Sequence, residues 1–277
     1  MNAENGVKIT FLGTGSSSGV PGIGIGWGRC DPQNPKNTRL RQSILVETGG
    51  KRFLVDTSPD LRQQLLRADT EELDAVLFTH AHADHMNGID DLRGVNKAIK
   101  RPLPVFANRA THDHIRQCFG YTLKPLPDDF NGVYIRPVLD MTEFVPCDDL
   151  DVLGISVGSF LQDHGFSETV GFRFGAVVYS TDVKTLTDDV LDDLRDANLD
   201  VWIIGVFRWE THWTHAHVDL ALEWIDRVKP KRAILTHMSP DIDYDELKAY
   251  LPNHVRPAFD GMTVEIASGG GEVSISE

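Results

Sequence analysis

The sequence has little cysteine, a deficit of positive charge and no long apolar run. Its three cysteines, Cys30, Cys118 and Cys147, are odd in number and widely spaced, which argues against a disulfide framework and for a reducing compartment. Lys and Arg total 27 against 41 Asp and Glu, a formal charge of −14. A protein that tracks a nucleic-acid backbone normally carries a basic footprint, so polymeric DNA or RNA is disfavoured as a partner. No stretch approaches the roughly 18 apolar residues of a membrane helix. The start, MNAENGVKITFLG, lacks the basic-then-apolar order of a secretory signal. The expectation is a cytoplasmic protein without a membrane partner. The 277 residues, 41% hydrophobic, suffice for one large α/β domain over 1–277, and nothing in the composition speaks against a homodimer.

Histidine is what the sequence does have. Of 11, eight fall in four short segments, at 80–85, 164, 212–217 and 237. The alternating KITFLG predicts a strand over 7–12, followed by a Gly- and Ser-rich loop at 13–28. That loop lacks the Gly-Lys-Ser/Thr ending of a phosphate loop and does not run into a helix, so a nucleotide fold is disfavoured. Segments 43–48 and 52–56 flank Gly49-Gly50-Lys51 and read as a hairpin. Ser58 is the expected cap, and Pro59 the expected first residue, of a helix through LRQQLLR. Further strands are expected at 75–79, LPVFA, 151–161, 168–174, 176–180, 202–207, 232–236 and 261–266. Helices are expected at 88–98, from Thr111, and at 188–196, 218–228 and 243–251. Two halves of this kind predict two sheets packed face to face with helices outside, a four-layer αββα sandwich.

The strongest signal is THAHADH at 79–85, directly after a buried strand. Imidazole and carboxylate donors suit zinc, manganese or iron. His80, His82, Asp84 and His85 cannot all reach one ion from so short an arc, so two neighbouring centres are expected. By contrast, His112 and His114 lack any such continuation and read as a solvated helix face.

HAHADH resembles the H-x-H-x-D-H signature of the metallo-β-lactamase superfamily, whose fold is the same αββα sandwich. Within it the chain is similar to the PhnP-like branch of cyclic phosphodiesterases, through FLGTGSSSGVP, FLVDTSPDLR, DHMNGIDDLR, YSTD, THWTHAH and KRAILTHM. The resemblance implies that His80, His82 and His164 hold one metal, that Asp84, His85 and His237 hold a second, and that Asp182 bridges them. Asp56 would orient a ligand histidine. The ions would be Zn2+ or Mn2+, with Fe also acceptable to these donors. Asp84 counts as catalytic as well, and His215 is the best candidate for the acid that protonates the leaving group. His212 and His217 remain alternatives for that role. Arg208 and Arg93 are candidates for phosphate contact or for structural ion pairing. Many members of the branch carry a cysteine cluster and a further histidine for a structural zinc; here only Cys30 remains and Pro240 replaces the histidine, so no such zinc is expected.

The activity implied is hydrolysis of a small cyclic phosphate or nucleotide phosphodiester by a metal-bridging hydroxide. The alternatives are a tRNA 3′-processing endonuclease or a thioesterase on the same fold, or a non-catalytic nucleotide-binding protein.

Overall fold

The computed structural model describes residues 6–269 and 271–276. The expected absence of a leader falls largely on residues 1–5, outside the described residues. The first half contains β1 (Val7–Gly13), β2 (Ser43–Thr48), β3 (Lys51–Val55), α1 (Leu61–Arg67), β4 (Ala75–Leu77), α2 (Ala83–Met86), α3 (Leu92–Ile99), β5 (Leu103–Asn108), α4 (Arg109–Phe119) and β6 (Leu139–Phe144). The second contains β7 (Leu150–Val152), β8 (Ile155–Asp163), β9 (Glu168–Phe174), β10 (Val177–Ser180), α5 (Asp188–Asp196), β11 (Val201–Gly205), α6 (Val218–Val228), β12 (Arg232–Thr236), α7 (Tyr244–Tyr250) and β13 (Val255–Pro257). Strands β14 (Thr263–Ile266) and β15 (Val273–Ile275) then return to the first half.

These strands form an eight-stranded sheet, ordered β15-β14-β1-β2-β3-β4-β5-β6, and a seven-stranded sheet, ordered β13-β12-β11-β10-β9-β8-β7. Alternation along the strands divides the apolar residues between layers. Ile44, Val46, Phe53 and Val55 meet Phe172, Tyr179, Val201 and Ile203 between the sheets. The intervening Leu45 and Leu54 face outward, onto Leu61, Leu65, Leu92, Val95 and Ile115 of α1, α3 and α4. On the other side Trp202 and Ile204 pack with Leu191, Trp224 and Leu247 of α5, α6 and α7. The αββα expectation holds. Among the described residues no helix is long and apolar enough to cross a membrane.

Each sheet changes from antiparallel to parallel pairing midway. In the first the change falls at β3, which pairs antiparallel with β2 and parallel with β4. In the second it falls at β10, antiparallel to β9 and parallel to β11. The carboxyl ends of β3, β4, β10 and β12 therefore open at one rim, where parallel sheets ordinarily place their ligands.

Local departures from expectation have physical reasons. Ser58 does not cap α1: its Oγ accepts from Asp60 N at 3.1 Å and donates to Gln64 Oε1 at 2.8 Å, and the helix begins at Leu61. The strand expected over 75–79 stops at Leu77, because the N–H and hydroxyl of Thr79 turn aside to Asp56. The single strand expected over 151–161 is a hairpin, β7–β8, folded at Leu153-Gly154, both with positive φ (55° and 86°). The short strands β6, β13 and β15 lie at sheet edges and had little periodic signal, β13 ending in Pro257. His112 is not solvated; it is buried, with Nδ1 3.3 Å from Glu143 Oε2 and Nε2 3.3 Å from Arg116 Nη2.

Gly88 fixes how α2 meets the sheet. Its N–H donates to Thr57 O at 2.9 Å, and a Cβ there would lie 1.9 Å from Ser58 O. The Gly88→Ala substitution is expected to cost about 1–3 kcal/mol through overpacking. A lowered unfolding midpoint together with reduced metal uptake would bear this out, since α2 carries Asp84 and His85; an unchanged midpoint would refute it.

Candidate metal centre

Five of the residues of interest lie at or just beyond strand ends. Asp56 follows β3, His80 stands three residues after β4, His164 follows β8, Asp182 lies two residues beyond β10, and His237 follows β12. His82 precedes α2, and Asp84 and His85 lie within it. Asp56, Asp182 and His237 adopt positive φ, at 66°, 50° and 61°. A non-glycine residue in that region costs of order 1–3 kcal/mol and persists only where the surroundings over-determine it. Three such residues at one rim mark a built site.

The side chains converge in two groups sharing one residue. His80, His82, His164 and Asp182 offer donor atoms within 4.8 Å of one another, and so do Asp84, His85, Asp182 and His237. Asp182 divides its carboxylate between them. Its Oδ2 lies 3.5 Å from His80 Nε2 and 3.7 Å from His164 Nε2. Its Oδ1 lies 3.0 Å from His237 Nε2 and 3.4 Å from His85 Nε2. Thr181 Oγ1 donates to the same Oδ1 at 2.9 Å, fixing the carboxylate plane.

Behind the donors, hydrogen bonds set the tautomer of three of the five donor rings. Asp56 Oδ2 accepts from His85 Nδ1 at 2.7 Å and from Thr79 Oγ1 at 2.7 Å, while Oδ1 accepts from Thr79 N at 2.8 Å. Having given its proton to Asp56, the Thr79 hydroxyl accepts from His80 Nδ1 at 2.9 Å. His164 Nδ1 donates to Thr214 O at 2.7 Å. All three rings thus carry a proton on Nδ1, which leaves Nε2 of each as the atom offered inward, as in metal-binding imidazoles. His80 Nε2, His85 Nε2 and both ring nitrogens of His237 are buried without any hydrogen-bond partner. Leaving a buried polar group unpaired costs about 1–3 kcal/mol each. Three of these atoms, the Nε2 of His80, His85 and His237, lie 3.0–3.5 Å from Asp182 oxygens, and such a set fits divalent cations.

Charge tells the same story. Burial alone would raise the Asp182 carboxyl, but His237 and His85 hold it well below the usual carboxylate range. Burial opposes a charge on His85, yet Asp182, Asp84 and Asp56 push its pKa well above the ordinary value. His237 is raised to about 9 against its burial, chiefly by Asp182. His80 and His164 are pushed down, first by burial. Without metal, protons on His85 and His237 supply the positive charge that the carboxylates require.

His215 joins the site from the β11–α6 connection. Its ring centroid is 4.7 Å from that of His164 and 5.0 Å from that of His237, and it stacks on Phe207 at 4.9 Å. Burial pushes it down to about 3, so the ring is neutral. His212 is a rim neighbour, 5.3 Å from His215. The structure does not bring His217 or Arg208 into the cluster. His217 is the residue before α6, and Arg208 is spent on its own loop, donating to Glu210 O at 3.3 Å and Thr211 O at 2.5 Å. Arg93 is likewise on the surface, against Ile135 O. Cys30 is buried, with Sγ 3.2 Å from Ile242 O and 3.4 Å from Pro240 O.

Thr79 and Gln42 were given no role in the sequence. Thr79 opens the THAHADH motif, which could have flagged it. Gln42 gave no signal. Its buried Oε1 accepts from Thr236 Oγ1 at 2.8 Å and from His237 N at 3.2 Å, and its Nε2 donates to Tyr179 OH at 3.1 Å. It therefore ties together the ends of β10 and β12, which carry Asp182 and His237.

Comparisons with known proteins place the fold in a family. Residues 51–238 match the β-lactamase superfamily domain. The crystal structure of a diphosphatase from the PhnP family superposes with a TM-score of 0.83 at 31% identity, over 94% of this chain and 97% of that one. The chain belongs to the β-lactamase superfamily and, within it, to the PhnP family. An octanoyltransferase of Porphyromonas gingivalis is 32% identical over 266 residues, 95% of this chain but 52% of that protein. This chain thus spans about half the length of that relative. A ribonuclease Z of Mycobacterium bovis is 27% identical over 217 residues, 73% of this chain and 71% of the relative.

Two expectations follow. Asp56→Asn, which removes the anchor of His85, is expected to weaken metal binding about 10- to 100-fold; unaltered affinity by calorimetry would contradict the role of Asp56. Because His237, raised to about 9, must lose its proton to act as a ligand, metal uptake releases protons and affinity rises with pH up to that value. Titrations in buffers of different ionisation enthalpy measure the release, and pH-independent affinity would refute it.

Proposed function

We propose that the chain, folded as one hydrolase domain over 1–277, is a metal-dependent phosphodiesterase acting on a small cyclic phosphate or nucleotide phosphodiester. The observation that carries this reading is the Asp182 carboxylate, with one oxygen turned to each donor group. In this assignment His80, His82, His164 and Asp182 hold one Zn2+ or Mn2+ (or iron), and Asp84, His85, His237 and Asp182 hold the other. Such a pair, when bound, activates water at neutral pH and offsets the charge that builds on the phosphoryl oxygens.

The protein's own groups do the rest. Asp56 and Thr79 keep the proton on Nδ1 of His85 and His80, so the donor rings need no rearrangement. Asp84 is the most accessible carboxylate of the site, its side chain 11% exposed against 2% for Asp182 and 0% for Asp56. It is held well below the usual carboxylate range, where burial is outweighed by His85 and His237, and it accepts the hydrogen bond of the attacking water. His215, neutral in the free site, donates N–H to the departing oxygen. It passes on a full proton only after the negative charge of a bound phosphate has drawn one onto the ring. It lies beside His164 of one donor group and His237 of the other.

An acidic chain with a net charge of −14 suits a small ligand better than a polymer. The diphosphatase of the PhnP family adds a phosphoanhydride to the substrates worth testing. A panel of a chromogenic phosphodiester, ribose 1,2-cyclic phosphate, 2′,3′-cyclic nucleotides, a nucleoside diphosphate ester, a glutathione thioester and precursor tRNA separates the readings. Hydrolysis of the small phosphate esters is expected, abolished in Asp182→Ala and lowered about 10²–10⁴-fold in His215→Ala, the range for loss of a general acid. Turnover of the thioester or the tRNA alone would overturn the proposal, and inertness toward every substrate with metal bound would favour a binding protein.

A further inference from the structure

Two large exposed rings lie on the loops that carry His164 and His215. Phe166 is 91% exposed and Trp213 is 78% exposed. Each stands two residues from a histidine of the cluster, His164 and His215 respectively. Since a residue advances the chain by at most about 3.6 Å, each ring's Cα lies within about 7 Å of that of its histidine.

The two loops are joined. His164 Nδ1 donates to Thr214 O at 2.7 Å. Gly165 has φ of +78°, and a Cβ there would fall 2.6 Å from Trp213 O. The loop bearing Phe166 is therefore pressed against the loop bearing Trp213. Phe207, His212, His215 and His164 pack ring against ring nearby. Among the described residues, neither Phe166 nor Trp213 takes part in such a contact.

We propose that Phe166 and Trp213 form an aromatic platform at the mouth of the metal centre that binds the nucleobase of a nucleotide substrate. The inference rests on the phosphodiesterase reading and narrows it, from small cyclic phosphates in general to nucleotides. A nucleotide carries its phosphate and its base at opposite ends of one ribose. A phosphate held by the two donor groups leaves the base within reach of loops only two residues away. Stacking on aromatic side chains suits any base, because every base has a π-face. Arg208, on the second loop, turns its Nε and Nη2 to the carbonyls of Glu210 and Thr211. A bare sugar phosphate would leave both rings without a function.

The test uses the full, metal-loaded chain and its Phe166→Ala, Trp213→Ala and Phe166→Tyr variants. Hydrolysis is followed for 2′,3′-cyclic AMP and for ribose 1,2-cyclic phosphate, and calorimetry compares AMP with ribose 5-phosphate. In each alanine variant KM for the cyclic nucleotide and Kd for AMP are expected to rise about tenfold, as for loss of one base–aromatic stack. The kcat and both constants for the ribose compounds should stay put, and Phe166→Tyr should restore wild-type affinity. Equal weakening of both ligand classes would overturn the platform, as would AMP binding no more tightly than ribose 5-phosphate to the unaltered protein. A concentration-dependent dimer lost in the alanine variants would give the rings to a second copy of the chain and also overturn it. If no phosphodiester is hydrolysed, the phosphodiesterase reading falls, while the AMP comparison still decides whether the rings hold a base.

Discussion

One buried carboxylate governs this structure. Asp182 is 1% exposed, sits at a φ that aspartate ordinarily avoids, and faces four imidazoles with its two oxygens. A charge so placed is tolerated only where positive charge surrounds it. The polypeptide itself supplies rings whose inward nitrogens lack hydrogen-bond partners, and on His85 and His237 protons stand in for cations. The same arrangement explains why the backbone is strained at Asp56, Asp182 and His237 together: each must turn its side chain across the end of a strand rather than along it.

The sandwich is the means by which this is done. Its two sheets each change from antiparallel to parallel pairing, and the changes lie at β3 and β10, beside the donors. The large apolar layer between the sheets keeps the two rims in fixed relation. Polar side chains then stitch the rims: Thr79 accepts from Val170 N through its carbonyl at 3.0 Å while its other groups serve Asp56 and His80, and Gln42 holds the ends of β10 and β12. Precision at the centre comes from these unassuming residues as much as from the donors.

Much of this was legible in the amino-acid order. Strands such as RAILT and RFLV run directly into His237 and Asp56, and SILVET and RFLV around Gly49-Gly50-Lys51 foretold the β2–β3 hairpin. The compact HAHADH segment announced a metal centre because four donors so close together have no ordinary structural use. What periodicity could not convey was tertiary. Ser58 looks like a cap, yet its hydroxyl is claimed by Gln64. His112 looks like a surface residue until β6 brings Glu143 beside it. Arg208 and His217 have the chemistry of phosphate ligands, but the first is consumed by neighbouring carbonyls and the second is placed where α6 begins. Gln42 is the plainest case: a lone amide before a strand acquires its role only from two distant strand ends.

The central claim is that Asp182 stands between two cations. Anomalous diffraction from crystals of the manganese-loaded protein tests it directly. Two peaks are predicted, one among His80, His82 and His164 and one among Asp84, His85 and His237, with an oxygen of Asp182 directed at each. A single peak, or two peaks that both lie on one side of that carboxylate, would contradict it.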